Sequence, residues 1–136
     1  MEEYRKPLPI ISPLNRPFWE AAKRGELRLQ RCLDCGHIWF PIGPVCPQCW
    51  SERFQWTPMS GRGKLSNWVI YHQAFHDAYR DEVPYNVAEV DLEEGPRLMT
   101  NIVGVKSNEL YYGMPVEVYF DPVTPDVTLI KFRKAA

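Results

Sequence analysis

The chain has 136 residues, a formal net charge of −1, 45% hydrophobic residues and 13% aromatic residues. This composition is typical of a globular protein and excludes an intrinsically disordered chain. No stretch approaches the apolar length needed to cross a bilayer, so we expect a soluble protein with no membrane contact. A chain of this length buries about two-thirds of its unfolded surface, which is enough for one modest core.

A short amphipathic helix is predicted first. Leu14, Phe18 and Ala22 recur at intervals of four residues, and Asn15 is a candidate N-cap. Residues 27–31 then alternate between apolar and polar side chains, which predicts a strand leading into the first cysteine.

All four cysteines of the chain fall in two Cys-x-x-Cys pairs, Cys32 with Cys35 and Cys46 with Cys49, and ten residues separate the pairs. Each pair can turn two thiolates toward one ion, and two pairs complete a tetrahedral site with no position left for water or substrate. We therefore predict a structural metal site. Zinc is the expected ion because the separation is much shorter than in rubredoxins, whose iron is the alternative.

Two disulfides, or a redox Cys-x-x-Cys motif, would also account for the cysteines. The charged residues 1–6 do not resemble a signal peptide, so we expect a reducing, cytoplasmic environment. In that environment two closely spaced pairs favour shared metal coordination over disulfides.

The chain is expected to divide near Thr57–Pro58, with residues 1–57 forming the helical segment and ribbon and residues 58–136 forming a second domain. In the second domain the hydrophobic period changes to two, in five short runs separated by turn residues. These runs cover residues 64–72, 87–92, 97–103, 116–120 and 127–133. The predicted fold is therefore mainly β, with a five-stranded OB-fold barrel; an SH3-like barrel or a small sandwich is the alternative.

Charge separates two functional interpretations of such a barrel. Residues 1–57 contain eight basic and six acidic side chains, whereas residues 58–136 contain eight and eleven. Binding of single-stranded nucleic acid needs a basic groove and exposed aromatic rings. The aromatic rings are present: Trp68, Tyr71, Phe75, Tyr79 and Tyr85. The excess of acidic side chains in residues 58–136 opposes phosphate binding, so nucleic-acid binding is kept only as the alternative function.

Several short motifs occur in a fixed order along nearly the whole chain: Cys35-Gly36, Phe40-Pro41, Cys46-Pro47, Gly61-Arg-Gly63, Pro84-Tyr85 and Gly95-Pro96. Together they resemble the zinc-ribbon/OB-fold family once catalogued as domain of unknown function thirty-five. The resemblance implies a rubredoxin-like zinc ribbon, an OB-fold barrel and a role as accessory subunit. Its expected partners are thiolase-like, hydratase or aldolase subunits acting on coenzyme A thioesters.

An acyl-CoA ligand would require a few basic side chains for its phosphates and an apolar channel for its remainder. The N-terminal half offers both, and the candidate ligand or partner residues are Phe18, Trp19, Lys23, Arg24, Arg28 and Arg31. A solvated basic face beside a buried apolar stripe is the simpler interpretation of the same residues.

No enzymatic site is predicted. The sequence contains neither a Gly-x-Ser-x-Gly elbow nor a glycine-rich phosphate loop after a strand. His72 and His76 could contribute to a second metal site only with further ligands, so they are expected to be loop or packing residues. The hairpin carboxylates Asp91, Glu93 and Glu94 are expected to face solvent.

Overall fold

The computed structural model describes Tyr4 and residues 6–135. Residues 1–3, 5 and 136 lie outside the described part, and with them most of the charged N-terminus behind the cytoplasmic expectation. The elements in chain order are α1 (Arg16–Lys23), β1 (Arg28–Cys32), β2 (Ile38–Trp39), β3 (Phe54–Pro58), β4 (Arg62–Tyr71), β5 (Tyr85–Leu92), β6 (Arg97–Thr100), β7 (Ile102–Val103), β8 (Pro115–Pro122) and β9 (Thr128–Lys134). Short 3-10 turns lie at Asp77–Tyr79 and Ser107–Glu109. The mainly β fold with one N-terminal helix confirms the predicted class.

Helix α1 follows Asn15, as predicted, but the Asn15 side chain does not cap it. Its Oδ1 accepts a hydrogen bond from Ser12 N at 2.7 Å, and its Nδ2 donates to Ile10 O at 3.0 Å. Asn15 therefore fixes the turn before the helix. Phe18 and Ala22 are buried, as their spacing predicted. Within the part of the chain that the structure describes, no helix is both long and apolar enough to cross a bilayer.

The ribbon is a three-stranded antiparallel sheet with β1 between β2 and β3. Its longest ladder pairs Arg28 with Pro58 at one end and Cys32 with Phe54 at the other. The predicted strand before the first cysteine is therefore confirmed. The expected domain boundary near Thr57–Pro58 falls within β3, the last ribbon strand, and the division itself stays a prediction.

The second sheet has six strands in the order β6-β5-β4-β8-β9-β7, one more than predicted. The run at 97–103, which we expected to form one strand, breaks at Asn101 into β6 and β7. Its two halves pair differently, because β6 runs antiparallel to β5 whereas β7 runs parallel to β9. The sheet therefore has six strands where five were predicted, because Asn101 interrupts the run between its two halves, while the OB-fold prediction was confirmed.

In the part of the chain that the structure describes, no continuous hydrogen-bond ladder closes the barrel, because β6 and β7 lie at opposite edges of the sheet and only Asn101 joins them. Phe132 N donates to Asn101 O at 3.0 Å across this junction. On the other side, the buried Asn86 side chain donates to Ile102 O at 2.8 Å and accepts from Ile102 N at 2.7 Å. The Asn86 amide thus substitutes for a strand at the place where the ladder is interrupted.

Two glycines allow close approach of the strands at the entry to the barrel. A Cβ on Gly63 would lie 2.5 Å from Asp91 O, and one on Gly61 would lie 2.6 Å from Val118 Cγ1. Gly61 also has a φ of +78°, which side-chain-bearing residues rarely adopt. The Gly-x-Gly motif is therefore explained by backbone packing.

The main hydrophobic core joins all three parts of the molecule. Phe18 of α1 and Leu27 and Leu29 of the ribbon pack with barrel residues such as Leu65 and Phe132. A smaller cluster lies at the other end of the ribbon and consists of Cys32, Trp39 and Cys46, with Phe54 packed against it. Strand β1 contributes to both clusters, so it links the cysteine site to the barrel.

Candidate metal centre

Each cysteine pair forms a tight turn that is closed by a residue in a left-handed conformation. Gly36 N donates to Cys32 O at 3.0 Å after the first pair, and Trp50 N donates to Cys46 O at 2.8 Å after the second. The φ angles are 79° for Gly36 and 65° for Trp50. Glycine adopts this conformation at little cost, but for another residue it costs about 1–2 kcal/mol. Trp50 is the one described non-glycine residue with a positive φ.

The two turns bring four sulfurs together. One sulfur from each of the four cysteines lies within 4.8 Å of every other, with 3.5 Å between Cys32 Sγ and Cys49 Sγ and 3.6 Å between Cys35 Sγ and Cys46 Sγ. A tetrahedral zinc site with bonds of about 2.3 Å has sulfur–sulfur edges of about 3.8 Å. The donor set therefore fits a single tetrahedral cation, and the predicted ligands meet at one point.

The pKa values of the cysteine cluster are also consistent with binding of a cation. Burial raises the pKa of Cys32, but the N–H groups of Cys35 and Asp34 and the neighbouring thiols outweigh it and lower the pKa to about 6. The Ser51 N–H lowers the pKa of Cys49, but hydrogen bonding with Cys32, burial and the other thiols outweigh it and raise the pKa to about 12. One thiol thus ionises readily while the other keeps its proton, because the protonated Cys49 thiol can donate a hydrogen bond to the Cys32 thiolate. A bound cation would favour the thiolate form of all four cysteines.

Asp34 lies between the two cysteines of the first pair and connects the two turns. Its carboxylate accepts a hydrogen bond from Ser51 Oγ and another from Arg53 Nη1 at 2.7 Å. Both partners follow the second pair. These groups are exposed, so the contacts contribute little to stability, but they fix one turn relative to the other.

Gln30 holds the loop between the cysteine pairs against β1. Its side chain is only 1% exposed, donates from Nε2 to Gly43 O at 2.7 Å and accepts from Gly43 N at 3.0 Å. Behind it, Trp39 packs edge-on against Phe54 with 5.8 Å between ring centroids. The sequence gives no sign of this role for Gln30, because a polar residue in an alternating strand is expected to face solvent.

The predicted ligand or partner residues of the helix do not form one continuous surface. Phe18 is buried in the main core, and its ring contacts that of Trp19 with 5.0 Å between centroids. Trp19 lies partly exposed between two cavities, one apolar and one that includes Arg16 and Lys23.

The remaining candidates are arginines near the start of the ribbon. Arg28 Nε lies 2.7 Å from Glu26 Oε2, and Arg24 Nη2 lies 3.8 Å from the same oxygen. Arg31 is exposed beside the first cysteine turn. These residues and Lys23 stay predictions as ligand or partner contacts.

The aromatic rings considered for nucleic-acid binding mostly contact one another. Tyr85 lies between Tyr71 and Tyr79, with 5.3 Å between centroids on each side, and Phe75 contacts Tyr71 at 6.0 Å. Trp68 packs against the main core. The connection between β4 and β5, which contains two of these rings, is acidic overall, with Asp77, Asp81 and Glu82 against Arg80.

Apart from the exposed His72, the other titratable groups considered as chemical sites have structural partners. His76 Nδ1 accepts a hydrogen bond from Ala78 N at 3.0 Å and begins the 3-10 turn after β4. Asp91 pairs with Arg97 at 2.7 Å in the β5–β6 hairpin. Among the described residues, the four cysteines are the one group of three or more side chains placed to hold a metal.

Two family models match the chain. The rubredoxin-like zinc ribbon domain of ChsH2 matches residues 19–55, and the C-terminal OB-fold domain of ChsH2 matches residues 56–121. The two matches adjoin and include all four cysteines and most of the barrel.

Two curated relatives differ in length. A probable enoyl-CoA hydratase alpha subunit from Thermomonospora curvata is 38% identical over 130 residues, which cover 96% of this chain but only 40% of that protein. A DUF35 domain-containing scaffold protein from Methanocaldococcus jannaschii is 36% identical over 97 residues, which cover 71% of this chain and 68% of that protein.

A solved structure described as "Ltp2-ChsH2(DUF35) aldolase" contains a chain that superposes with a TM-score of 0.85 at 38% identity. The match covers 95% of this chain and 100% of that one. From the ribbon, the barrel and these similarities together, the chain belongs to the DUF35 family of zinc-ribbon and OB-fold proteins.

Proposed function

We propose that the protein is a non-catalytic accessory subunit of an enzyme complex that acts on coenzyme A thioesters. Its partner would be a thiolase-like, hydratase or aldolase subunit. In this proposal the metal-bound ribbon and the barrel together provide the binding surface, and the partner supplies the reacting groups.

The observation that supports this function best is the full-length similarity to the chain in the aldolase structure, because it includes helix, ribbon and barrel together. A relative described as a scaffold protein and another described as a hydratase alpha subunit agree with it. The site chemistry is also consistent, since four thiolates around one ion leave no open coordination position for substrate.

We propose zinc as the ion, held by Cys32, Cys35, Cys46 and Cys49 in a reducing cytoplasm. Four-sulfur sites of this kind hold zinc or iron, and the short ribbon favours zinc. The ion would supply no chemistry to a reaction; it would fix the two cysteine turns relative to β1 and thereby to the barrel.

The proposal is tested by purifying tagged protein from its native host and identifying what co-purifies in fixed stoichiometry. We expect a coenzyme A thioester enzyme whose specific activity falls when this subunit is removed and returns when the purified subunit is added back. Cys46→Ser is the comparison variant. Because it should disrupt the ribbon, it should neither bind the enzyme nor restore its activity.

Recovery of the protein without such an enzyme, or an enzyme with unchanged activity in its absence, would contradict the proposal. Acyl-CoA binding by the isolated subunit is measured in the same preparation, with Lys23→Ala as the variant that tests the helix surface. Salt-sensitive binding to single-stranded DNA or RNA would instead support the nucleic-acid alternative, because phosphate contacts weaken steeply as salt rises.

A further inference from the structure

The open junction of the barrel contains backbone groups that none of the described strands pairs. It lies between β6 and β9, on the N-terminal side of the contact between Asn101 and Phe132, and we call it the seam. Apart from that contact, one bond crosses it among the described residues, from Thr100 Oγ1 to Ile130 O at 3.2 Å. The two strands otherwise diverge without a shared ladder.

The register of the β5–β6 hairpin shows which groups of β6 face the seam. Leu92 N donates to Pro96 O at 2.9 Å, so the residues hydrogen-bonded to β5 are the even-numbered ones, Leu98 and Thr100. The N–H and C=O groups of Arg97 and Met99 therefore point away from β5 and into the seam.

The register of the β8–β9 pair likewise shows which groups of β9 face the seam. Ala135 N donates to Pro115 O at 3.0 Å and Val123 N to Val127 O at 3.0 Å, so odd-numbered residues of β9 bond to β8. The backbone groups of Thr128 and Ile130 consequently point into the seam from the opposite side. The bond from Phe132 N to Asn101 O follows this rule.

Between these edges is a cavity of about 350 Å³ with mostly apolar walls. Leu98, Met99 and Ile130 line its strand side, and Trp19 and Pro41 line the side formed by α1 and the ribbon loop. The Met99 side chain is 70% exposed, and Trp19 Nε1 is buried without a hydrogen-bond partner. The cavity thus combines apolar side chains with hydrogen-bonding groups at the repeat of a β-strand.

We propose that the seam binds an extended segment of the partner enzyme, which adds to the edge of β6 as a further strand. A peptide backbone satisfies alternating N–H and C=O groups, and its alternate side chains fill the apolar cavity. A purely apolar ligand would leave the edge groups desolvated without partners, which is costly. This inference rests on the proposed function, since the segment belongs to that partner.

Hydrogen exchange on the purified complex tests the proposal directly. We expect the amides of Arg97 and Met99 to exchange at least tenfold more slowly in the complex than in the free protein. The amides of Leu98 and Thr100, which already bond to β5, serve as internal controls and should change little. Unchanged exchange at Arg97 and Met99 in a formed complex would overturn the proposal and leave the accessory function intact.

A pair of variants at one position separates a backbone bond from a side-chain contact. Met99→Pro removes the N–H that faces the seam but no bond to β5, whereas Met99→Ala keeps that N–H and removes the side chain. We expect Met99→Pro to weaken partner binding about tenfold or more and Met99→Ala to weaken it less than threefold.

Equal losses for the two variants, or wild-type binding by Met99→Pro, would contradict strand addition. If Met99→Pro fails to fold, the exchange measurement on the wild-type complex decides alone. If no complex forms with an enzyme, both the accessory function and this inference are wrong. If two copies of this chain pair at the seam instead, the proposed partner is wrong.

Discussion

The ribbon and the barrel achieve a fixed structure by different means. The barrel has a core of aliphatic and aromatic side chains that extends to α1 and β1. The far end of the ribbon has only three buried residues in its cluster, and two of them are the cysteines Cys32 and Cys46. The barrel is therefore stabilised by apolar burial, whereas we propose that a bound ion holds the turns at the cysteine end of the ribbon together.

This difference assigns distinct roles to local and long-range contacts. The candidate metal site is built from two short turns and four hydrogen-bonding side chains around them, Gln30, Asp34, Ser51 and Arg53. The barrel depends on strands far apart in sequence, such as β4 with β8, which meet only for three residue pairs. Changes at the metal site should therefore remain local, and changes at the barrel closure should affect the whole molecule.

The largest effect is expected from losing the ion. Cys46→Ser, or removal of metal by a strong chelator, should unfold residues 32–54 while the barrel stays folded, because structural zinc contributes on the order of 10 kcal/mol to such sites. Hydrogen exchange followed by mass spectrometry measures this, with rapid exchange confined to the ribbon. Partner association should be lost at the same time.

A ribbon that keeps its protected amides without metal would contradict this account. So would loss of the barrel along with the ribbon, since the two regions would then be one cooperative unit.

The next effect concerns closure of the barrel. Asn86→Ala leaves the N–H and C=O of Ile102 without their side-chain partner, so we expect the free energy of unfolding to fall by about 2–4 kcal/mol. Thermal or urea unfolding measures it. Asn108→Ala, at an exposed position in the 3-10 turn Ser107–Glu109, is the matched control and should change stability by less than about 0.5 kcal/mol. Equal losses in the two variants would refute the role of Asn86.

A smaller effect is expected where the inter-pair loop meets β1. Gln30→Leu keeps the volume of the side chain but leaves Gly43 N and Gly43 O unpaired, which costs about 1–3 kcal/mol. The loss should appear as faster release of metal to a chelator, while the unfolding of the barrel stays unchanged. Asn101→Ala, at the barrel junction, should instead destabilise the barrel and leave the rate of metal release unchanged. If both variants changed the same property, the distinction between ribbon and barrel would be wrong.

The smallest expected effect is an increase in the stability of the ribbon. Trp50→Gly removes left-handed strain from the second cysteine turn and should stabilise the metal-bound ribbon by up to about 1 kcal/mol relative to Trp50→Ala, which keeps that strain. Ribbon-specific hydrogen exchange compares the two variants. A glycine variant no more stable than the alanine variant would show that this turn tolerates its φ of 65° without cost.

The features that the sequence predicted are those set by nearby residues. The spacing within and between the cysteine pairs located the four cysteines whose sulfurs the structure brings together, because each turn is completed within a few residues. The alternating runs located the barrel strands, since one face of each strand is buried whichever neighbours it has. The Gly61-Arg-Gly63 motif also marked the place where β4 approaches its neighbours most closely.

The features that were missed depend on partners distant in sequence or on backbone conformation. The break at Asn101 separates a half that pairs with β5 from a half that pairs with β9, and the periodicity of residues 97–103 does not contain that information. Gln30 is buried only because Gly43 lies opposite it. The left-handed Trp50 breaks the usual preference for glycine, so no propensity argument could have predicted it.

Native mass spectrometry of the tagged protein isolated from its host tests the central claim most directly, because it counts bound ions and bound subunits together. We predict one zinc ion per chain and a coenzyme A thioester enzyme subunit in fixed stoichiometry, both lost from the Cys46→Ser variant. A chain free of metal with its cysteines oxidised in pairs, or one that keeps its partner after the ion is removed, would contradict the account.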